Sequence, residues 1–190
     1  MLKLMLKTFL LLAALAALTA EAIATPRVVV PNQSEILFTV KEMGVPVSGR
    51  FRRFEAFVDI DDTKPERSKA ELRIEIRSLT TGNDDADAIA VDANWLDAVH
   101  APYAIYKSSA IRSVSPGRYE AKGALTIRNQ TRDLIMQFTS TKQASGNLDV
   151  SGEFVINRSD FGIGGGEWHE ANVVAKEIAV IVHLVLAPGK

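Results

Sequence analysis

His169-Glu170 is the pair of side chains in this sequence that comes nearest to metal chemistry. In the zinc-binding H-E-x-x-H pattern, two histidines one helical turn apart hold the ion and the glutamate serves as base. Here Val173 occupies the second histidine's place, and Gly164, Gly165 and Gly166 just upstream oppose a helix. The remaining histidines, His100 and His183, lie far apart, and His183 falls out of phase with the apolar residues around it. No cysteine is present, which removes thiolate ligands, thiol nucleophiles and any disulfide framework. Nor is there a G-x-S-x-G elbow to activate a serine. Asp84, Asp85 and Asp87 have the spacing of a helix's acidic first turn. The run Gly162-Ile163-Gly164-Gly165-Gly166 has the composition of a phosphate loop, but such loops lead into a helix and the Walker type ends in a lysine. A strand pattern follows here, and that lysine is missing. No catalytic residue, metal site or cofactor is therefore expected, and the chain does not read as an enzyme.

A binding surface is the next candidate. In Arg50-Phe51-Arg52-Arg53-Phe54, alternation along one strand sets Phe51, Arg53 and Phe57 on a face away from Phe54. Such a face suits a barrel mouth, a dimer contact or a nucleic-acid stripe, although a solvated face is the plainer reading. The formal charge of −1 and the lack of a second basic stripe argue against nucleic acid. A homodimer is left open.

The N-terminus carries an address rather than a site. Lys3 and Lys7 precede an apolar run over 9–18, and small-x-small sites follow at Ala20-Glu21-Ala22 and Ala22-Ile23-Ala24. A membrane-spanning helix needs about 20 apolar residues, so this run reads as a cleavable secretory signal. Cleavage is expected after Ala24, with Ala22 as the alternative site. Loss of residues 1–24 removes Lys3, Lys7 and Glu21 and leaves a formal charge of −2. No other run is long enough to span a bilayer, so no stable membrane insertion is expected. Residues 25–190 fit a single domain.

The elements that must position any site alternate with period 2. Over 68–77, Ala70, Leu72, Ile74 and Ile76 share one face, while Lys69, Glu71, Arg73, Glu75 and Arg77 share the other. The same reading predicts strands over 35–41, 50–61, 103–114, 118–128, 132–142, 147–158 and 174–187. Turn residues such as Ser115-Pro116-Gly117 and Ser145-Gly146-Asn147 link neighbours closely enough to make them antiparallel. Eight antiparallel strands close as a barrel or pack as a sandwich, and periodicity does not choose between them. Residues 83–99 read as one or two short helices across an end of the sheet. Ile89, Trp95, Leu96 and Val99 form their apolar stripe, with Asp92 as a second N-cap. Residues 160–173 form a long glycine-rich loop, a feature often tied to function.

The motifs, taken in order, resemble the YceI-like family. They are Ser34-Glu35-Ile36-x-Phe38-x-Val40, Gly44-Val45-Pro46-Val47-x-Gly49-x-Phe51, Leu79-Thr80-Thr81-Gly82-Asn83, Trp95-Leu96-Asp97, Ala101-Pro102-Tyr103, Gly123-x-Leu125-Thr126-Ile127 and Arg158-Ser159-Asp160-Phe161-Gly162-Ile163. The resemblance implies an all-β fold: an extended, lipocalin-like, eight-stranded antiparallel barrel with short helices at one end. It also implies a periplasmic carrier holding an isoprenoid lipid, a quinone tail or polyprenyl phosphate, in an apolar interior. Strand parity then nominates the lining. The early strands supply Phe38, Val40, Phe54, Val58, Ile74, Ile76 and Tyr106. The later strands supply Leu125, Ile127, Met136, Phe138, Phe154, Val180 and Val182, with Phe161, Ile163 and Trp168 near one end. The competing reading is an exported stress-response or interaction module whose barrel is filled by its own side chains.

Overall fold

The computed structural model describes residues 27–61, 64–169 and 173–189. The export signal expected over 1–24 lies outside the described residues. Among the described residues eleven strand segments follow one another: β1 Arg27–Val29, β2 Glu35–Glu42, β3 Val45–Phe51, β4 Phe54–Asp59, β5 Lys69–Glu75, β6 Leu79–Thr80, β7 Tyr103–Ser115, β8 Arg118–Ile127, β9 Gln130–Lys142, β10 Leu148–Asn157 and β11 Val174–Pro188. One helix, α1, spans Asp84–Ala90.

These segments make eight staves, because the first three are each interrupted. A 3-10 turn at Pro31–Gln33 separates β1 from β2, and another at Ile76–Ser78 separates β5 from β6. Arg52 and Arg53 separate β3 from β4. From β4 the antiparallel ladder runs through β5, β7, β8, β9 and β10 to β11. The free edge of β11 then takes both halves of the first stave, Val180↔Phe38 on β2 and Leu186↔Val29 on β1. β2 pairs β3, and β1 meets β4 at Arg27↔Val58, which closes a barrel. Closure leaves few free ladder edges, and the sandwich alternative falls away.

Local chemistry explains the turns. Arg128 and Asn129 form a two-residue hairpin with φ of 50° and 59°. Met43 and Gly44 form another, with φ of 46° and 82°. Positive φ at both positions matches the right-handed twist of the strands they join.

Two sequence expectations need correction. The strand expected over 50–61 is broken: the N–H groups of Arg52 and Glu75 bond the carbonyls of Ser78 and Arg53, and both arginines bulge outward. Parity therefore resets, and Phe51 faces inward, as Phe54 does. Of the one or two helices expected over 83–99, one forms, and the second cap and part of the stripe are what change. Asn83 caps α1, its Oδ1 accepting from the N–H groups of Asp85 and Ala86, but Asp92 caps a turn. Val99 leaves the apolar stripe and is 69% exposed.

Along its axis the barrel has two halves. In one, Tyr119 stacks on Phe138 with ring centroids 5.3 Å apart, and Val58, Tyr106, Ile111, Leu148, Val182 and Leu184 fill the space around them. Glycines make room for the rings: a Cβ on Gly123 would come within 2.8 Å of the Tyr106 ring. The other half is not filled.

Candidate functional site

The unfilled half encloses a cavity of about 230 Å³. Its wall is built from inward positions of successive staves. Phe38 and Val40 come from β2, Val47 and Phe51 from β3, and Ile74 from β5 with Ile76 just after it. Leu125 and Ile127 of β8, Phe154 and Ile156 of β10, and Ile178 and Val180 of β11 complete the circuit. Among the lining residues Glu42 and Thr81 carry the polar groups outside the capping segments, so the surface is apolar. Phe38 occupies the space that Gly49 leaves open on the paired strand: a Cβ there would overlap the Phe38 ring. Such a lining excludes water and rewards burial of hydrocarbon, and it offers no activated nucleophile.

A cap closes one end. Ala86, Ile89 and Ala90 of α1 face the cavity, as do Trp95 and Leu96 from the following turns. Ile163 and Trp168 come from the glycine-rich loop, and Trp168 meets Trp95 edge to face at 5.7 Å. Ile89 is 40% exposed and Glu42 stands at the tip of the β2–β3 hairpin, which marks the mouth between α1 and that hairpin.

Polar side chains hold the cap in place. Arg158 is 1% exposed, and its five N–H groups all donate to carbonyls: Nε to Ala175, Nη1 to Ile163 and Gly164, Nη2 to Trp168 and Val174. Three of those carbonyls belong to cavity-lining residues, two in the glycine-rich loop and one at the start of β11, so the guanidinium ties that loop to the strand. Burial pulls its pKa down from the ordinary arginine value. Arg128 bonds the carbonyls of Ala93, at 2.9 Å, and Gly162, joining the two capping segments to one hairpin. Asp87 anchors α1, its Oδ1 accepting from the N–H and hydroxyl of Thr81 at 2.6 and 2.7 Å. Burial pushes that carboxyl up, but the Thr81 and Thr80 hydrogen bonds and the Arg52 charge outweigh it and hold the pKa below 3.8.

The sequence-derived lining divides between the halves. The structure brings Phe38, Val40, Ile74, Ile76, Leu125, Ile127, Phe154, Ile163, Trp168 and Val180 around the cavity. Val58, Tyr106, Phe138, Phe161 and Val182 are buried in packed core instead. Phe54 packs against that core and borders an outer cleft, and Met136 lies beside Gly152 on the neighbouring strand. Strand parity separates inside from outside but does not tell a filled level of a barrel from an empty one. Reasoning from the sequence missed Phe51, hidden by the bulge, and Arg158, although a lone arginine before a loop of glycine carbonyls was a usable signal. His183, read as out of phase, sits at the surface with Nε2 3.2 Å from Asp149. Among the described residues no cluster of His, Asp or Glu could hold a metal ion.

Residues 28–186 match the family model for the YceI-like domain. The chain belongs to the YceI-like family. Among related structures, BcnA of Burkholderia cenocepacia is 30% identical with a TM-score of 0.80, covering 83% of this chain and 98% of that one. A polyisoprenoid binding domain from Saccharophagus degradans has a TM-score of 0.70 over 87% of this chain and 99% of its own, at 14% identity, and so shares the fold. A UPF0312 protein of Pseudomonas savastanoi pv. phaseolicola is 25% identical over 134 residues, 67% of this YceI-like chain and 70% of its own length.

Proposed function

We propose that this YceI-like protein is an exported, periplasmic binding protein that carries an isoprenoid lipid by its tail. The observation that carries the reading is the capped, apolar cavity, bordered by an end of the barrel rather than by a cluster of reactive groups. The polyisoprenoid binding domain of Saccharophagus degradans supports it through shared fold, and the signal pattern over 1–24 supports export. At about 30 Å³ for each water-sized group, the cavity takes roughly eight such groups, on the order of two isoprene units. Burying them stabilises the complex by about 6 kcal/mol before the costs of association. A longer tail projects from the mouth or displaces α1. Within the family reading, the lining proposed is the set of predicted residues that surround the cavity, extended by Phe51 and Trp95.

The test is native mass spectrometry of protein purified from its own periplasm, followed by organic extraction. A stoichiometric prenyl lipid is the expected result. Reproducibly empty protein from that source would sink the carrier reading and leave the interaction module in its place.

A further inference from the structure

The barrel wall has a seam. Between the pairs Arg27↔Val58 and Ile36↔Phe51, no strand pairing joins the first stave to the second among the described residues. Both staves are broken there, by the Pro31–Gln33 turn on one side and by Arg52-Arg53 on the other. Missing ladder bonds lower the local cost of opening the wall here. A polar cleft of about 670 Å³ lies over the seam, and Phe51 is the side chain that lines both this cleft and the apolar cavity. Phe51 rests on Phe38 at 5.7 Å, so one aromatic layer separates the two spaces.

The cleft is rich in arginine. Arg53 is committed to Glu75 through two bonds of 2.7 Å. Arg52 donates to the Thr80 hydroxyl. Arg50 has no hydrogen-bond or ion-pair partner among the described residues, and Arg73 lies flat over Tyr103 at 3.7 Å. Stacking orients a guanidinium while leaving its in-plane N–H groups free, the arrangement suited to a fork of anionic oxygens. Four arginines against Glu35, Glu55 and Glu75 leave the cleft with a net positive charge.

We propose that the seam is a head-group site, in which Arg50 and Arg73 bind the anionic group of an amphiphile whose tail passes Phe51 into the cavity. This rests on the tail-binding reading and adds to it a chemical class, an anionic rather than a neutral isoprenoid. Exposed ion pairs are individually weak, so the anion contributes selectivity while the tail supplies most of the affinity.

Geranyl phosphate and geraniol, the same tail with and without the phosphate, provide the test. The chain's two tryptophans both line the cavity, so intrinsic fluorescence reports tail entry directly. The full-length mature protein should bind the phosphate about tenfold more tightly than the alcohol at low salt. That preference should vanish in about 1 M salt, where the Debye length is about 3 Å. The double variant Arg50→Gln/Arg73→Gln should bind both compounds alike, with its geraniol affinity unchanged. Equal affinities in the unmutated protein, or a parallel loss of both in the variant, would overturn the head-group site while leaving tail binding intact. No fluorescence response to either compound would overturn the tail-binding reading as well. Inorganic phosphate should compete poorly; strong displacement by phosphate alone would assign the seam to a free anion and overturn the amphiphile.

Discussion

Arg158 shows how one side chain sets the shape of a site it never touches directly. A buried charge is tolerated when every donor is matched, and its five N–H groups meet five carbonyls with no carboxylate involved. Arg158→Met orphans those carbonyls and should lower stability by about 3–5 kcal/mol, read from the urea midpoint. Arg158→Lys should recover little of it, because an ammonium presents three donors from one point and cannot span the fork. A lysine variant as stable as the parent would show that charge, not geometry, is what the site needs. Gly164 accompanies this arrangement: it adopts a φ of 76° hard against the guanidinium, where a side chain has no room.

At the scale of elements, the cap is held to the barrel more lightly than the staves are held to each other. α1 is short and contributes Ala86, Ile89 and Ala90 to the cavity, and its attachment runs through Asp87 and Thr81. The Asp87 carboxyl titrates below its ordinary value in the folded protein. Its contribution is therefore fully present above the unfolded pKa and is lost as pH falls through the lower folded value. Protection of the α1 amides, taken relative to the intrinsic exchange rate at each pH, should stay constant from neutrality down to about pH 5 and fall below about pH 4, ahead of protection in β8 and β10. Asp87→Asn should exchange faster at neutral pH and lose that acid-dependent step. Uniform exchange across cap and staves at every pH would mean the cap opens only with the whole barrel.

For the molecule as a whole, one barrel serves as both core and container. The Tyr119–Phe138 level supplies packing, and the level between Phe51 and Trp95 supplies space. Because a ligand that binds only the folded state stabilises it, geraniol at a hundred times its Kd should add about 2.7 kcal/mol and raise Tm by roughly 5–10 °C. Ile178→Phe, which extends a lining side chain into the cavity, should abolish that shift while costing the empty protein about 1–3 kcal/mol. An undiminished shift in this variant would place the ligand elsewhere. With no cysteine, the fold should be indifferent to reductant, and its Tm with and without dithiothreitol should coincide.

The sequence by itself determined most of the staves, and the wet and dry faces of each unbroken strand, because strand alternation is a local property that Leu72, Ile74 or Leu125 declares through its own neighbours; the segments Arg27–Val29 and 45–49 carried no such signal. The ordered motifs carried that pattern to a YceI-like barrel. Tertiary structure decided what local pattern cannot encode: which inward residues meet partners and which meet a void. Val58 and Phe38 have the same parity, yet one is packed into the core and the other lines the cavity, since their levels along the barrel axis differ. Phe51 turned inward only because Arg52 and Arg53 bond across to the Ile76–Ser78 turn and its neighbour, shifting the count by one. The donors of Arg158 likewise found acceptors from two separate segments, a match that exists only after the chain has folded.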